Sequence, residues 1–160
     1  MTSGRLTTCL WFDGKAEEAA DFYLSVFEDS SRGAVLRHTD ASPGEAGSVL
    51  TVEFTLNGQQ FLGLNGGPEF TFSEAISFQI DCADQDEVDY YWTHLTADGG
   101  EAGPCGWLKD RFGVSWQVVP GMLPTLLTDP DREKADRAMA AMMAMGKLDI
   151  AALRAAFDGS

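Results

Sequence analysis

Positive charge is what this sequence has least of. Eleven Lys and Arg face 25 Asp and Glu, a formal net charge of −14. Nucleic-acid partners demand clustered Lys and Arg against the phosphate backbone, so no nucleic-acid partner is expected. The acidic excess reads instead as a solvated surface that keeps the chain dispersed. Cysteine is scarce too: Cys9, Cys82 and Cys105 are an odd number with no close-spaced pair. That spacing argues against a zinc ribbon or a disulfide framework and predicts reduced thiols in a cytoplasmic protein. No apolar run approaches the roughly 20 residues that cross a bilayer. The opening MTSGRLTT has no apolar leader core, so no membrane partner is expected either. The two histidines, His38 and His94, fall on a peripheral strand and within a helix, where solvent or a local hydrogen bond occupies them.

What is present is a repeat. The stretch CLWFDGKAEEAADFYLSVF, Cys9 to Phe27, aligns without a gap with SFQIDCADQDEVDYYWTHL, Ser77 to Leu95. Asp13 and Asp81, Asp21 and Asp89, and Tyr23 and Tyr91 are each 68 residues apart. Each stretch reads as a strand, a tight turn and an amphipathic helix. A period of half a small domain indicates two fused half-domains rather than a solenoid. At 160 residues and 44% hydrophobic, the chain can bury a sizeable core.

Along the first strand, 5–12, Leu10 and Phe12 point to one face and Thr7, Cys9 and Trp11 to the other. The helix expected over 15–27 gathers Ala19, Phe22, Tyr23 and Val26 on one side. Strands follow at 33–38, 49–56 and 59–65, the last two joined by the hairpin signal Asn57-Gly58. The second half opens with a strand over 75–82 and a capping box from Asp84 to Glu87. Its helix is stopped by Asp98-Gly99-Gly100. Three short strands are expected near 101–105, 106–110 and 114–119, with Lys109-Asp110 read as a surface pair. Beyond Pro120, Asp129-Pro130 reads as the cap and first residue of a helix reaching about Met145. Asp149 caps a last helix, IAALRAAF. The face carrying Ala138, Met139, Met142 and Met143 reads as packing surface, for its own domain or a second subunit.

Two tandem βαβββ modules are the layout of the vicinal oxygen chelate superfamily, which includes glyoxalase, bleomycin-resistance and dioxygenase members. Within it the chain closely resembles the PhnB-like proteins, once labelled 3-demethylubiquinone 3-methyltransferase-like. The resemblance is carried by CLWFDGKAEEAADFY (9–23), LNGGP (64–68), SFQIDCADQDEVDYYW (77–92), CGWLKDRFGVSWQVVP (105–120) and KLDIAALRAA (147–156). It implies an α+β fold, with the two modules forming a curved-sheet cleft and a C-terminal helical extension. The implied organisation is one glyoxalase-like domain, 1–160: module one over 5–66, module two over 75–120 and the extension over 121–160. It also implies a homodimer and a divalent metal in the cleft. The four metal-ligand positions of the metalloenzymes fall on Thr7, near Gly63, on Ala75 or Ser77, and on Gln117. Only Gln117 offers so much as an amide oxygen, so neither a metal nor another cofactor is expected.

The strand faces turned away from the helices should line the cleft. They supply Thr7, Cys9 and Trp11 from the first module and Ser77, Gln79 and Asp81 from the second. Asn65, Ser115 and Gln117 are expected to join them, with Cys105 and Trp107 at the rim. This mixture of aromatic and hydrogen-bonding groups suits a small polar or aromatic ligand. Each residue also has a plain reading: Cys9 as a small buried core residue, Trp11 and Trp107 as packing, Gln79 and Gln117 as bonded to one another. The methyltransferase label finds no support, because neither Asp13-Gly14 nor LNGGP forms a glycine-rich strand-to-helix turn. Two readings remain, a metal-independent binding protein and an enzyme working through Cys9, Asp81 or an atypical metal site. The sequence leans to the first, on its missing metal ligands, its aromatic-lined cleft and an acidic charge that would attract cationic ligands.

Overall fold

A computed structural model describes residues 4–160; Met1–Ser3, the start of the MTSGRLTT stretch, lie outside the described residues. The chain forms two compact units, 1–72 and 73–160.

The first unit runs β1 (Thr8–Phe12), α1 (Ala16–Val26), β2 (Ser30–Arg37), β3 (Val49–Leu56) and β4 (Gln59–Asn65). Its four-stranded sheet has the order β1-β4-β3-β2, parallel between β1 and β4 and antiparallel elsewhere. The strands at 49–56 and 59–65 fall where the alternation and Asn57-Gly58 put them. Strand β2 starts three residues earlier than expected, because Ser30 and Ser31 already pair with Leu56 and Thr55. One face of the sheet packs on α1. There Leu10, Phe12, Val52, Phe54 and Phe61 meet Ala19, Tyr23 and Val26, all buried. The rings of Tyr23, Phe54 and Phe61 stack in series, 5.9 and 5.3 Å between centroids.

The second unit repeats the plan: β5 (Phe78–Cys82), α2 (Gln85–Leu95), β6 (Glu101–Ala102), β7 (Trp107–Lys109) and β8 (Ser115–Pro120), in the order β5-β8-β7-β6. Its parallel pair is β5 with β8. The repeat holds as topology, but its register is not gapless. Strand β5 starts at 78 against 8 for β1, a difference of 70, whereas α2 starts at 85 against 16, a difference of 69. The buried residues follow the same helix offset, with Val88 and Leu95 replacing Ala19 and Val26. The cause is the strand-to-helix link. Asp13-Gly14-Lys15 takes three residues, but Ala83-Asp84 takes two, since Asp84 Oδ1 accepts from the Glu87 amide at 3.0 Å and caps the helix at once. Glu87 Oε2 reaches back to accept from the Ala83 amide, 2.7 Å.

The extension belongs to the second unit. It contains α3 (Leu123–Leu127), α4 (Arg132–Met143) and α5 (Ile150–Asp158). Helix α3 is an addition to the sequence expectation, with Pro124 in its first turn, where a missing N–H costs nothing. Helix α4 starts later than Asp129-Pro130 implied. Asp131 is the cap, accepting from the Lys134 amide at 3.3 Å, while Asp129 accepts from the Asp131 amide and shapes the preceding turn. Asp149 caps α5 as expected. Leu123, Leu148 and Leu153 form a buried cluster with Val119, flanked by Met122, Ala141, Met142 and Met145. On the Ala/Met side of α4, Ala138 and Met142 therefore pack within their own unit, whereas Met139 and Met143 are exposed. Chain order, two mixed sheets and helices on one side of each make this an α+β fold with a helical extension.

Candidate functional site

In the first unit, Cys9 and Trp11 do lie on the sheet face opposite α1, register-paired with Leu62 and Leu64, and Cys9 is exposed there rather than buried in the core. Thr7 precedes β1 and is exposed. Trp11 is not open to a ligand over its whole ring. Its Nε1 donates to Gly67 O at 2.8 Å, and Phe70 packs edge-on at 4.9 Å. A Cβ on Gly66 would come within 2.2 Å of the indole, so only glycine fits there. Asn65 differs from expectation. It pairs with Phe12 on the helix face, where its Oδ1 accepts from the Ala16 amide at 2.9 Å and its Nδ2 donates to Val49 O at 3.0 Å. Asn65 is thus the missing N-cap of α1, whose own cap residue, Lys15, has no capping side chain. The LNGGP string is a clamp holding strand, helix and indole together.

In the second unit, Ser77, Gln79 and Gln117 share the face opposite α2 and largely satisfy one another. Gln117 Nε2 donates to Ser77 Oγ at 2.9 Å, and Gln79 Nε2 donates to Asp81 Oδ1 at 2.8 Å. Trp107 stands opposite Gln117 across β7 and β8. Beside it is a cavity of about 590 Å³, walled by Trp107, Leu108 and Cys105 and by Met142 and Met143 of α4, with Ser115, Lys109, Glu74 and Glu101 as its polar groups. Cys105 Sγ donates to Met143 Sδ at 3.6 Å. The turn before Trp107 is fixed by α4's end: the Cys105 amide donates to Met145 O and that of Gly106 to Gly146 O, both 2.8 Å. Gly106 has φ +83°, and a Cβ there would press on Val118 O and the Leu148 side chain. Of the residues named from sequence, Cys105, Trp107 and Ser115 come together at this cavity. Lys109 and the methionines were missed as site groups, since Lys109 read as surface and the Ala/Met face as packing.

The Lys109-Asp110 reading needs correction. Lys109 pairs with Glu74, and Asp110 is only 2% exposed. Its Oδ1 accepts from the Phe112 and Val114 amides and its Oδ2 from Trp116 Nε1, at 2.9 to 3.0 Å.

The metal expected of the superfamily does not fit these donors. Gly63 has no side chain, and a Cβ there would turn to Val52 and Ala16. Gln117, its Nε2 donating to Ser77, offers a metal only a single neutral amide oxygen. Among the described residues no three His, Cys, Asp or Glu side chains gather as a ligand set, and no helix is long and apolar enough to cross a membrane.

Neither Cys9 nor Cys82 is an activated thiol. Partial burial raises Cys9 above the ordinary thiol range. Burial, reinforced by the Glu87 and Asp81 carboxylates, pushes Cys82 up to about 12. The folded chain therefore keeps Cys82 neutral while the unfolded chain ionises it near pH 8.5. This contribution to stability is intact below that pH and is lost progressively as pH rises towards about 12. The urea midpoint should fall more steeply between about pH 8.5 and about pH 10.5 in the wild type than in Cys82→Ala; equal slopes would refute it.

Paired βαβββ units with mixed sheets define the vicinal oxygen chelate fold, and solved structures agree. PhnB from Bacillus cereus, described as a 3-demethylubiquinone-9 3-methyltransferase, is 36% identical, covering 73% of this chain and 99% of its own, with a TM-score of 0.64. A Pseudomonas aeruginosa protein is 20% identical over 72% of this chain and 96% of its own, TM-score 0.59. The fosfomycin resistance protein FosX from Listeria monocytogenes is 19% identical over 78% of this chain and 97% of its own, TM-score 0.55, and shares the fold. The 3-demethylubiquinone-9 3-methyltransferase family profile matches residues 4–119. The chain belongs to this PhnB-like family of the vicinal oxygen chelate superfamily. No curated protein matches it significantly.

Proposed function

We propose that the chain is a small-molecule-binding protein that works without a metal ion and seats its ligand in the second unit's cavity. The observation that carries this reading is the cavity itself. Its volume of about 590 Å³ lies within the range of roughly 300–1,000 Å³ typical of ligand pockets. Trp107 offers a flat platform, and Met142 and Met143 offer flexible thioether walls that adapt to a guest. Poor donors at the superfamily's metal positions support metal independence. The enzyme reading gains nothing from Cys9, whose raised pKa makes it a weaker nucleophile at neutral pH. Nor does the reading adopt methyl transfer. Common S-adenosylmethionine enzymes bind the cofactor at a glycine-rich turn of a largely parallel sheet, whereas each sheet here has a single parallel pair. The three free thiols suit a reducing cytoplasm, and the family resemblance favours a homodimer.

Native mass spectrometry of the purified protein, followed by a small-molecule thermal-shift screen, tests the proposal. An apo dimer whose screening hits bind stoichiometrically, lose binding in Trp107→Ala and are not turned over supports it. A retained divalent ion would overturn metal independence, and hits indifferent to Trp107→Ala would move the site elsewhere.

A further inference from the structure

Accepting the second-unit cavity as the ligand site, we propose that its ligand is an aromatic or apolar acid whose oxyanion takes the place Glu74 now holds on Lys109. The cavity's apolar walls select the ligand's body, and its polar atoms select the head. Lys109 is the one cation among the residues lining it. Ser115 lies directly opposite Lys109 across β7 and β8, so both side chains rise from the same face. Ser115 is 1% exposed, and its Oγ has no hydrogen-bond partner among the described residues. A buried hydroxyl without a partner is uncommon and calls for one. An ammonium and a hydroxyl side by side are two donors converging on a point, the arrangement that holds a carboxylate or sulfonate.

Glu74 already occupies the ammonium. Its carboxylate is bonded to the Lys109 ammonium, in a pair whose side chains are 60% and 37% exposed. It sits in the irregular segment before β5, free of sheet or helix hydrogen bonding. The contact holds Glu74 below, and Lys109 above, the ordinary range, each mainly through their shared hydrogen bond. An exposed ion pair is worth little net. An external oxyanion that also buries an apolar body against Trp107 and Met142, and reaches Ser115, therefore outcompetes it. Glu74 acts as a tethered stand-in that leaves when ligand enters. Glu101, opposite Lys109 on β6, would by itself favour a cation; the orphaned hydroxyl beside the ammonium decides for an anion.

The test titrates full-length protein with 8-anilinonaphthalene-1-sulfonate, an aromatic anion, and with proflavine, an aromatic cation, following probe fluorescence in wild type and four variants. The anion should bind one per chain and lose affinity in Trp107→Ala. Lys109→Gln should weaken it by about tenfold, the loss of a charge-assisted bond. Glu74→Gln should tighten it by about two- to threefold, as a weak competitor is removed. Ser115→Ala should weaken it severalfold with no fall in Tm, because the hydroxyl has no protein bond to lose. Proflavine binding that depends on Trp107 and strengthens in Lys109→Gln would overturn the acid assignment while leaving the ligand site in place. Anion binding indifferent to Lys109 and Glu74 would overturn it too. If neither probe depends on Trp107, the site and the acid assignment fall together.

Discussion

Asp110→Ala should destabilise the protein by about 3–4 kcal/mol in urea unfolding, because one carboxylate closes a hairpin and holds a buried indole. Asp110 accepts from the Phe112 and Val114 amides and from Trp116 Nε1, and its own amide donates to Val114 O at 2.9 Å. Both Asp110 and Trp116 are almost wholly buried. Alanine would take from the buried indole N–H and the Val114 amide the carboxylate that accepts from them. Hydrogen bonds to a charged group are worth about 1.5–3 kcal/mol each, though three sharing one acceptor do not add. Asp110→Asn separates the parts. Its Oδ1 can still accept from the turn amides, but its NH2 then faces the Trp116 N–H, donor to donor, so about half the loss is expected. The hairpin carries Trp107, Lys109 and Ser115, and ligand binding should fall with it. A loss below about 1 kcal/mol in Asp110→Ala would show that the turn holds without its carboxylate.

Asp110 also marks where the sequence was hard to read. Next to Lys109 it looks like half of a surface ion pair, and only the return of β8 reveals that it faces Trp116 six residues on. Asn65 is a similar case. Its role as the cap of α1 links residues 49 apart, and no local pattern shows it. What alternation and turn chemistry control was legible: the β3–β4 hairpin, both amphipathic helices, the Asp84 and Asp149 caps and the repeated topology. Periodicity depends on neighbours two to four residues away, so the sequence displays it directly. The gapless repeat at 68 failed by two residues in the strands and one in the helices, and the two-residue Ala83-Asp84 link accounts for the difference between them. The site was legible in part. Trp107 and Cys105 were expected at the rim and Ser115 in the lining, and all three line the cavity. The α4 methionines were missed because their proximity depends on the extension folding back over the end of the sheet, and Lys109 because it read as half of a surface pair although alternation puts it on Trp107's face.

That fold-back has a pin, and removing it is the other large expected effect. Leu148 is fully buried between α4 and α5, against Val119, Leu123 and Leu153. Its carbonyl accepts from Gln85 Nε2 at 3.1 Å, while Gln85 Oε1 accepts from the Ile150 amide at 2.8 Å. Lys147 adds an ion pair to Asp89 at 2.5 Å. Leu148→Ala should cost about 3–4 kcal/mol, the lost transfer energy plus the cavity left where the backbone on either side is already tied down. The damage should be directional. Met142 and Met143 wall the candidate cavity, and Met145 and Gly146 accept the amides that set the turn before Trp107. Loosening this segment should therefore lower ligand affinity as well as stability, and should speed tryptic cleavage at Arg132 and Lys134, which lie near the start of α4. Leu148→Met, which nearly keeps the volume, should recover most of both. If Leu148→Ala unfolds at the wild-type urea midpoint, or loses stability with ligand affinity unchanged, the extension is a passenger on the sheet rather than the wall of its site.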